Sequence, residues 1–227
     1  SSEPLGLDDV VVIVPSGSEE RAVRRALARA GSAAYVATTG IGPLAAESAA
    51  SAVLAERRPA RVVVTGLCGV LSPAFRVGDA LVYREIVTPE ERFAFDRELS
   101  GFVADRVAGS QSGIRAIASG VIVTRSADKL ALGERYTAQA VDMETAAVAR
   151  RLQADGIAVA ALRVGSDGAA DDLPALDRAL DGSGGMDGLA LALAMVRQPI
   201  AGVRLARNGT RALGALERAV YALFSAR

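Results

Sequence analysis

The chain has 227 residues, 51% of them hydrophobic and 4% aromatic, with 26 basic and 26 acidic side chains and a formal net charge of zero. That length suits one α/β domain with a sizeable core, taken here as residues 1–227, and the balanced charge makes no case for a nucleic-acid partner. Histidine is absent and Cys68 is the one cysteine, which excludes histidine triads, histidine general bases, histidine-ligated metals and an internal disulfide.

Val10–Val14 is a short β-branched run that predicts a buried strand. Ser18 follows as a candidate N-cap for a helix from Glu19 to about Ala30, which Gly31 stops. Ala33–Thr38 reads as the second strand and Thr39–Pro43 as a tight glycine loop. Leu44–Arg57 is an alanine-rich helix and Arg61–Thr65 a third strand. This βαβαβ order favours a parallel sheet with helices on its faces.

Gly66–Gly69 then lets the backbone approach a ligand or a neighbouring element closely. Ser72–Val77 reads as a loop, Gly78–Asp79 as a turn and Ala80–Val87 as a strand. A polar excursion from Thr88 to about Arg115 is expected to carry specificity. Val121–Thr124 returns as a strand, Asp128–Tyr136 as a helix and Ala138–Val141 as a brief strand. Glu144–Gln153 is helical, Ile157–Val164 is a buried strand, and Gly165–Gly168 is a turn. Helices are expected over about Met186–Val196 and Ile200–Phe224. No cationic leader with an apolar core is evident, and no apolar run reaches roughly 18 residues. The expectation is a cytoplasmic protein without stable membrane insertion.

With histidine absent, proton transfer falls to carboxylates, Lys, Tyr or water. Glu144 stands where a strand turns into a helix, beside free backbone N–H groups that favour its ionised state. An ionised carboxylate accepts from two adjacent hydroxyls, as in a ribose diol, but an ordinary first-turn acid fits as well. Met143 is either core or a flexible apolar wall for a flat ring or sugar. Asp142 reads as structural. Asp167, just past a buried strand, is either an Asx-turn residue or a partly desolvated proton donor. Glu19 and Glu20 are favourable first-turn charges, one of which is a candidate base for water. Gly40, Gly42, Gly66 and Gly69 offer backbone amides, in no dinucleotide or Walker spacing. Cys68 is expected to be a small buried residue, since no histidine activates it.

The motif series gives these residues an order. Thr39–Gly–Ile–Gly–Pro43 comes first, then Thr65–Gly–Leu–Cys–Gly–Val–Leu71 with Val77–Gly–Asp79. Val141–Asp–Met–Glu144 with Ala146–Ala147 and Arg163–Val–Gly–Ser–Asp167 complete it. The series resembles the nucleoside phosphorylase and nucleosidase superfamily, which includes methylthioadenosine/S-adenosylhomocysteine nucleosidase and futalosine hydrolase. Asp128–Lys129 and the tail around Arg197–Pro199, Leu205–Arg207 and Arg211–Leu213 resemble the hopanoid-associated branch. Members of that branch are linked to removing adenine from adenosylhopane.

The resemblance implies a three-layer α/β/α sandwich with a central mixed, largely parallel sheet. It also implies cleavage of an N-glycosidic bond with no metal or organic cofactor. Glu144 would hold the ribose hydroxyls, with Met143 against the nucleoside and Gly42, Cys68 and Gly69 nearby. Asp167 would protonate or hydrogen-bond N7 of the leaving purine, with Ser166 beside it, and Glu20 rather than Glu19 would position the water. Bacterial phosphorylases bind phosphate with an arginine and a serine where this chain has Val64 and Leu67, so water is the favoured nucleophile; Arg125 and Arg163 are the other cations within reach. No aromatic near Ser126–Lys129 matches the base-stacking phenylalanine of methylthioadenosine nucleosidases. The partner implied is a small nucleoside, and a homo-oligomer, most simply a dimer, is expected. A phosphorylase and a non-catalytic nucleoside-binding protein are the alternatives.

Overall fold

A computed structural model describes residue 7, residues 9–174 and residues 197–226. Its elements begin with β1 (Val10–Pro15), α1 (Ser18–Ala30), β2 (Tyr35–Thr39), α2 (Pro43–Glu56) and β3 (Arg61–Val70). β4 (Ala80–Val87), β5 (Arg92–Ala94), α3 (Arg97–Arg106) and β6 (Gln111–Ala118) follow. The chain continues through α4 (Ser126–Tyr136), β7 (Ala140–Asp142), α5 (Thr145–Gln153), β8 (Ala158–Asp167) and α6 (Pro199–Phe224).

β1 is buried along its whole length, as an apolar run without polar alternation requires. Successive side chains point to opposite faces of a sheet, so this one strand feeds two cores. Val10, Val12 and Val14 join a cluster with Val23 and Leu27 of α1, Val103 of α3 and Leu216 and Leu223 of α6. Val11 and Ile13 join a second cluster with Val53 of α2 and Val148 and Leu152 of α5. Each fully buried Val or Leu contributes about 1.5–3 kcal/mol, and the two clusters hold helices to both faces of the sheet. The result is a three-layer α/β/α arrangement around a mixed sheet of eight strands.

The sheet curls onto itself. β3 pairs β8 in parallel, β8 pairs β4 antiparallel, β4 pairs β6 and β6 pairs β7 in parallel, and β7 returns antiparallel to β3. β1 and β2 extend this closed ring from the N-terminal half of β3, and β5 lies outside β4. β3 therefore has three partners. β8 runs along one edge; the other edge holds β1 as far as Val64 and β7 from Gly69 onward. Thr65–Cys68 lies in the fork between β1 and β7, a switch point of the kind where ligands bind in α/β folds.

Two glycines permit the fork. Gly66 has φ of +137°, and a Cβ there would stand 2.6 Å from Arg163 Nη1, 2.6 Å from Glu19 Oε1 and 3.0 Å from Pro15 Cδ. At Gly69 a Cβ would come within 2.9 Å of Val141 Cγ1, so only glycine lets β7 pair this closely. Gly66→Ala is expected to destabilise the fold by about 1–3 kcal/mol through backbone strain alone. It should also lower activity, because the methyl displaces Glu19; thermal melting and a rate measurement check the pair of effects.

Several expectations change. β3 continues past Thr65 to Val70 and β8 past Val164 to Asp167, so the anticipated Gly165–Gly168 turn is mostly strand. Val121–Thr124 is irregular; the strand in that part of the sheet is β6, which begins within the Thr88–Arg115 excursion, where β5 and α3 also lie, and runs on to Ala118. α1 has Gly17 at its N-cap and no side-chain cap from Ser18. The helix expected over Met186–Val196 lies outside the described residues, whereas α6 matches the expected Ile200–Phe224 helix with Pro199 at its first turn. No described helix is long and apolar enough to cross a membrane.

Candidate active site

The fork in β3 opens onto a cavity of about 230 Å³. Glu19, Leu67, Cys68, Gly69, Met143, Glu144, Ser166 and Asp167 all line it, so residues from four separate stretches of sequence meet there. Two wider surface grooves, of about 730 and 740 Å³, contain none of these groups. Chemistry rather than size marks the site.

Glu19, not Glu20, enters the cavity. On α1, Ala22, Val23 and Ala26 are buried, and Glu19 shares their stripe at the i+3, i+4 and i+7 spacing. Glu20 lies one position round the helix and pairs with Arg24 at 2.8 Å on the outer flank. Glu19 as a whole keeps some surface, but its carboxyl end is tucked under β3, where Oε1 accepts the Leu67 N–H at 2.6 Å. That N–H belongs to the fork, where neither β1 nor β7 pairs with β3. Burial pushes the Glu19 carboxyl up to about 7, against the opposing pull of the Leu67 N–H and Arg163.

Glu144 occupies the N-cap position of α5, just after β7. Its Oε1 accepts the Gly42 N–H at 3.0 Å, which joins the second glycine loop to the site. Burial raises its pKa, and Arg163 and the backbone N–H groups oppose the rise without cancelling it. The backbone N–H groups do favour the ionised carboxylate, as the helix start leads one to expect, but desolvation acts the other way and is the larger effect. Asp142 supplies the cap instead. Its Oδ1 accepts the Thr145 N–H at 3.0 Å and its Oδ2 accepts the Thr145 hydroxyl at 2.7 Å.

Arg163 ties the acids together from behind. It is fully buried in β8, within the stretch from Ala158 to Val164 that is otherwise apolar. Nε and Nη2 both donate to Thr145 Oγ1, at 3.0 and 2.7 Å, and Nη1 donates to Thr65 O at 3.2 Å. The guanidinium also lies 3.4 Å from Asp142 Oδ2 and 3.6 Å from Glu144 Oε2. These carboxylates hold its pKa up against burial. A lone arginine in an apolar strand must find partners of this kind. Neither Arg163 nor Arg125 lines the cavity.

Asp167 closes the opposite wall at the end of β8. Ser166 Oγ lies 2.7 Å from Asp167 Oδ1 and 3.1 Å from Cys68 O. Because a hydroxyl has one proton, it donates to the carboxylate when Asp167 is ionised. It is free to donate to Cys68 O when Asp167 carries the proton. Asp167 Oδ2 accepts from Lys129 of α4, a contact with no counterpart in the sequence reading. Lys129 falls on the inward stripe of α4 with Leu132, Gly133 and Tyr136, and a charge on such a stripe is the signal that marks it. Cys68 carries a buried free thiol, which burial pushes up to about 12, so it is not a nucleophile at neutral pH.

The remaining wall is apolar. Ile41, Val121, Ile122, Val123, Leu173 and Leu205 line it, the last from α6. The Thr88–Arg115 excursion contributes no lining residue; its α3 packs against β4 and β8 on the other face. Among the described residues no group of three or more Cys, Asp or Glu side chains is disposed to hold a metal ion.

Similar architecture occurs in solved structures. The 5′-methylthioadenosine/S-adenosylhomocysteine nucleosidase of Neisseria meningitidis, in complex with methylthio-immucillin-A, matches with a TM-score of 0.72 at 18% identity, over 94% of this chain and 97% of that one. The Helicobacter pylori enzyme of the same name, with butyl-thio-DADMe-Immucillin-A, gives 0.72 at 15% identity over 94% and 96%. Futalosine hydrolase of Helicobacter pylori gives 0.71 at 14% identity over 94% and 96%. At these identities the likeness is one of fold. No individually curated protein matches the chain in sequence. A family model described as the phosphorylase superfamily matches residues 7–196, which include every carboxylate of the cavity. The chain belongs to the phosphorylase superfamily.

Proposed function

We propose that the protein is a purine nucleosidase that hydrolyses the N-glycosidic bond of a 5′-modified adenosine. The observation that carries this reading is a cavity lined by Glu19, Glu144 and Asp167, with no cationic side chain among the described residues on its walls. Breaking a glycosidic bond develops positive charge on the sugar, and a carboxylate-rich site binds that state better than the neutral substrate.

Glu144 accepts from the ribose hydroxyls, favoured in its ionised form by Arg163 and the Gly42 N–H against the effect of burial. Met143 packs against the nucleoside. Glu19 takes a proton from the attacking water; its carboxyl, raised to about 7, is near the value that suits a general base at neutral pH. Asp167, with Ser166, gives a proton to N7 as the bond between the sugar and the purine breaks.

Water is favoured over phosphate because phosphate needs cations or several donors, whereas Arg163 gives its donors to Thr145 and Thr65 and Arg125 does not line the cavity. Adenine release should proceed at the same rate with and without inorganic phosphate, yielding the free 5′-modified ribose rather than its 1-phosphate. Strict phosphate dependence would make the protein a phosphorylase, and binding of nucleosides with no turnover would make it a binding protein. A panel of 5′-modified adenosines, assayed with and without phosphate, decides among the three.

The apolar wall with Val121, Leu173 and Leu205 supports a hydrocarbon-like 5′ substituent. Adenosylhopane is accordingly the first substrate to test, with methylthioadenosine and futalosine after it. A cytoplasmic homo-oligomer is part of the same reading, supported by the lone cysteine and by the family resemblance.

A further inference from the structure

Lys129 is the only lysine in the chain; every other basic residue is arginine. It is also fully buried, in a helix whose other charged residues face solvent or lie near its ends. Its ammonium meets three acceptors: Asp167 Oδ2, the Asp171 carbonyl at 2.8 Å and the Gly168 carbonyl at 3.2 Å. Three acceptors match the three donors of an ammonium, whereas a planar guanidinium would need more room and a different geometry. A buried, completely bonded cation carries no penalty for an unmade bond. Lys129 does not line the cavity, so anything it does to substrate passes through Asp167.

We infer that Lys129 is a positioning residue for the glycosidic step, fixing Asp167 through Oδ2 and stabilising the carboxylate left behind when Asp167 gives up its proton. This rests on the reading of Asp167 as the group that protonates the leaving purine. The proton passes from the Asp167 carboxyl to N7 while the electrons of the bond to the sugar move onto the purine. Asp167 becomes an anion at that moment, and its attraction to the ammonium is greatest then. An interaction that strengthens along the reaction coordinate raises kcat rather than substrate affinity. With Oδ2 held by Lys129, Oδ1 is left to Ser166 and the base.

The test compares wild type, Lys129→Met, Asp167→Asn and the double variant on 5′-methylthioadenosine, or whichever 5′-modified adenosine the wild type cleaves fastest. A second substrate, 4-nitrophenyl riboside, has a leaving group that departs without a proton. Lys129→Met should lower kcat for adenine release about 100-fold with KM within about threefold. In the Asp167→Asn background the same change should alter the rate by less than about threefold. On the nitrophenyl substrate Lys129→Met should run within about threefold of wild type.

Adenine release by Lys129→Met close to the wild-type rate overturns the proposal. So does an equal loss on both substrates, or a further large loss in the Asp167→Asn background, since either would mean a general structural role. If Lys129→Met does not fold, the double variant, which buries neither charge, is compared with Asp167→Asn and decides. Failure of the wild type to release adenine from any substrate would instead sink the nucleosidase reading itself.

Discussion

Asp167→Asn is expected to lower kcat for adenine release about 10³-fold, within the range for removal of a positioned proton donor. An amide cannot deliver a proton to N7, yet it keeps nearly the same shape, so KM should change little. The fold should weaken as well. Lys129 is fully buried and would lose its anionic partner, keeping only neutral acceptors, the carbonyls of Gly168 and Asp171 and the amide oxygen of the new side chain. Breaking a buried pair on one side costs about 3–5 kcal/mol in comparable cases. Steady-state rates and thermal melts on the same preparation separate the two effects. Near-normal turnover would remove Asp167 as the acid.

Glu19→Gln is expected to be as damaging, about 10²–10⁴-fold in kcat, because Gln cannot take a proton from water. Glu20→Gln is the matched control and should stay close to wild type, since Glu20 pairs with Arg24 outside the cavity. The pH dependence gives a second reading. Glu19 works only when ionised, and its carboxyl is raised to about 7, so the wild-type rate should fall as pH drops through that value. Stability runs the opposite way. A carboxyl whose folded pKa lies above its ordinary 4.5 stabilises the fold most at low pH, and that advantage is lost as pH rises through about 7. Glu19→Gln should therefore melt higher than wild type at pH 8 while turning over far more slowly. An unchanged acid limb in the Glu19→Gln profile would assign the titration to another group.

The strands and helices were largely legible because their apolar runs are long and end at glycine or proline. The unbroken apolar run of β1 and the alanine-rich stretch of α2 needed no tertiary knowledge. Strand ends were not legible where function bends them. Thr65–Val70 and Gly165–Asp167 contain three glycines and look like turns, yet both are strand because β3 and β8 pair with each other throughout. The site was legible as a set of motifs but not in its wiring. Glu19 and Glu20 are adjacent acids, and only the packing of Ala22, Val23 and Ala26 says which one faces inward. Arg163 read as a possible phosphate ligand because the sequence does not say that Thr145 and Asp142 will occupy its donors. Lys129 and Asp167 are 38 residues apart, and no local pattern announces that they meet.

The closed ring of strands bears on how this protein survives at high concentration. An open sheet of eight strands would leave a strand edge at each end ready to recruit another chain. Here β3, β4, β6, β7 and β8 use both edges on one another. The edge strands among the described residues are β2, five residues long, and β5, three residues long. β5 is also charged at its start by Arg92, which pairs with Glu85. The geometry that splits β3 into a binding fork thus also removes most of the template on which unwanted cross-strand association would grow.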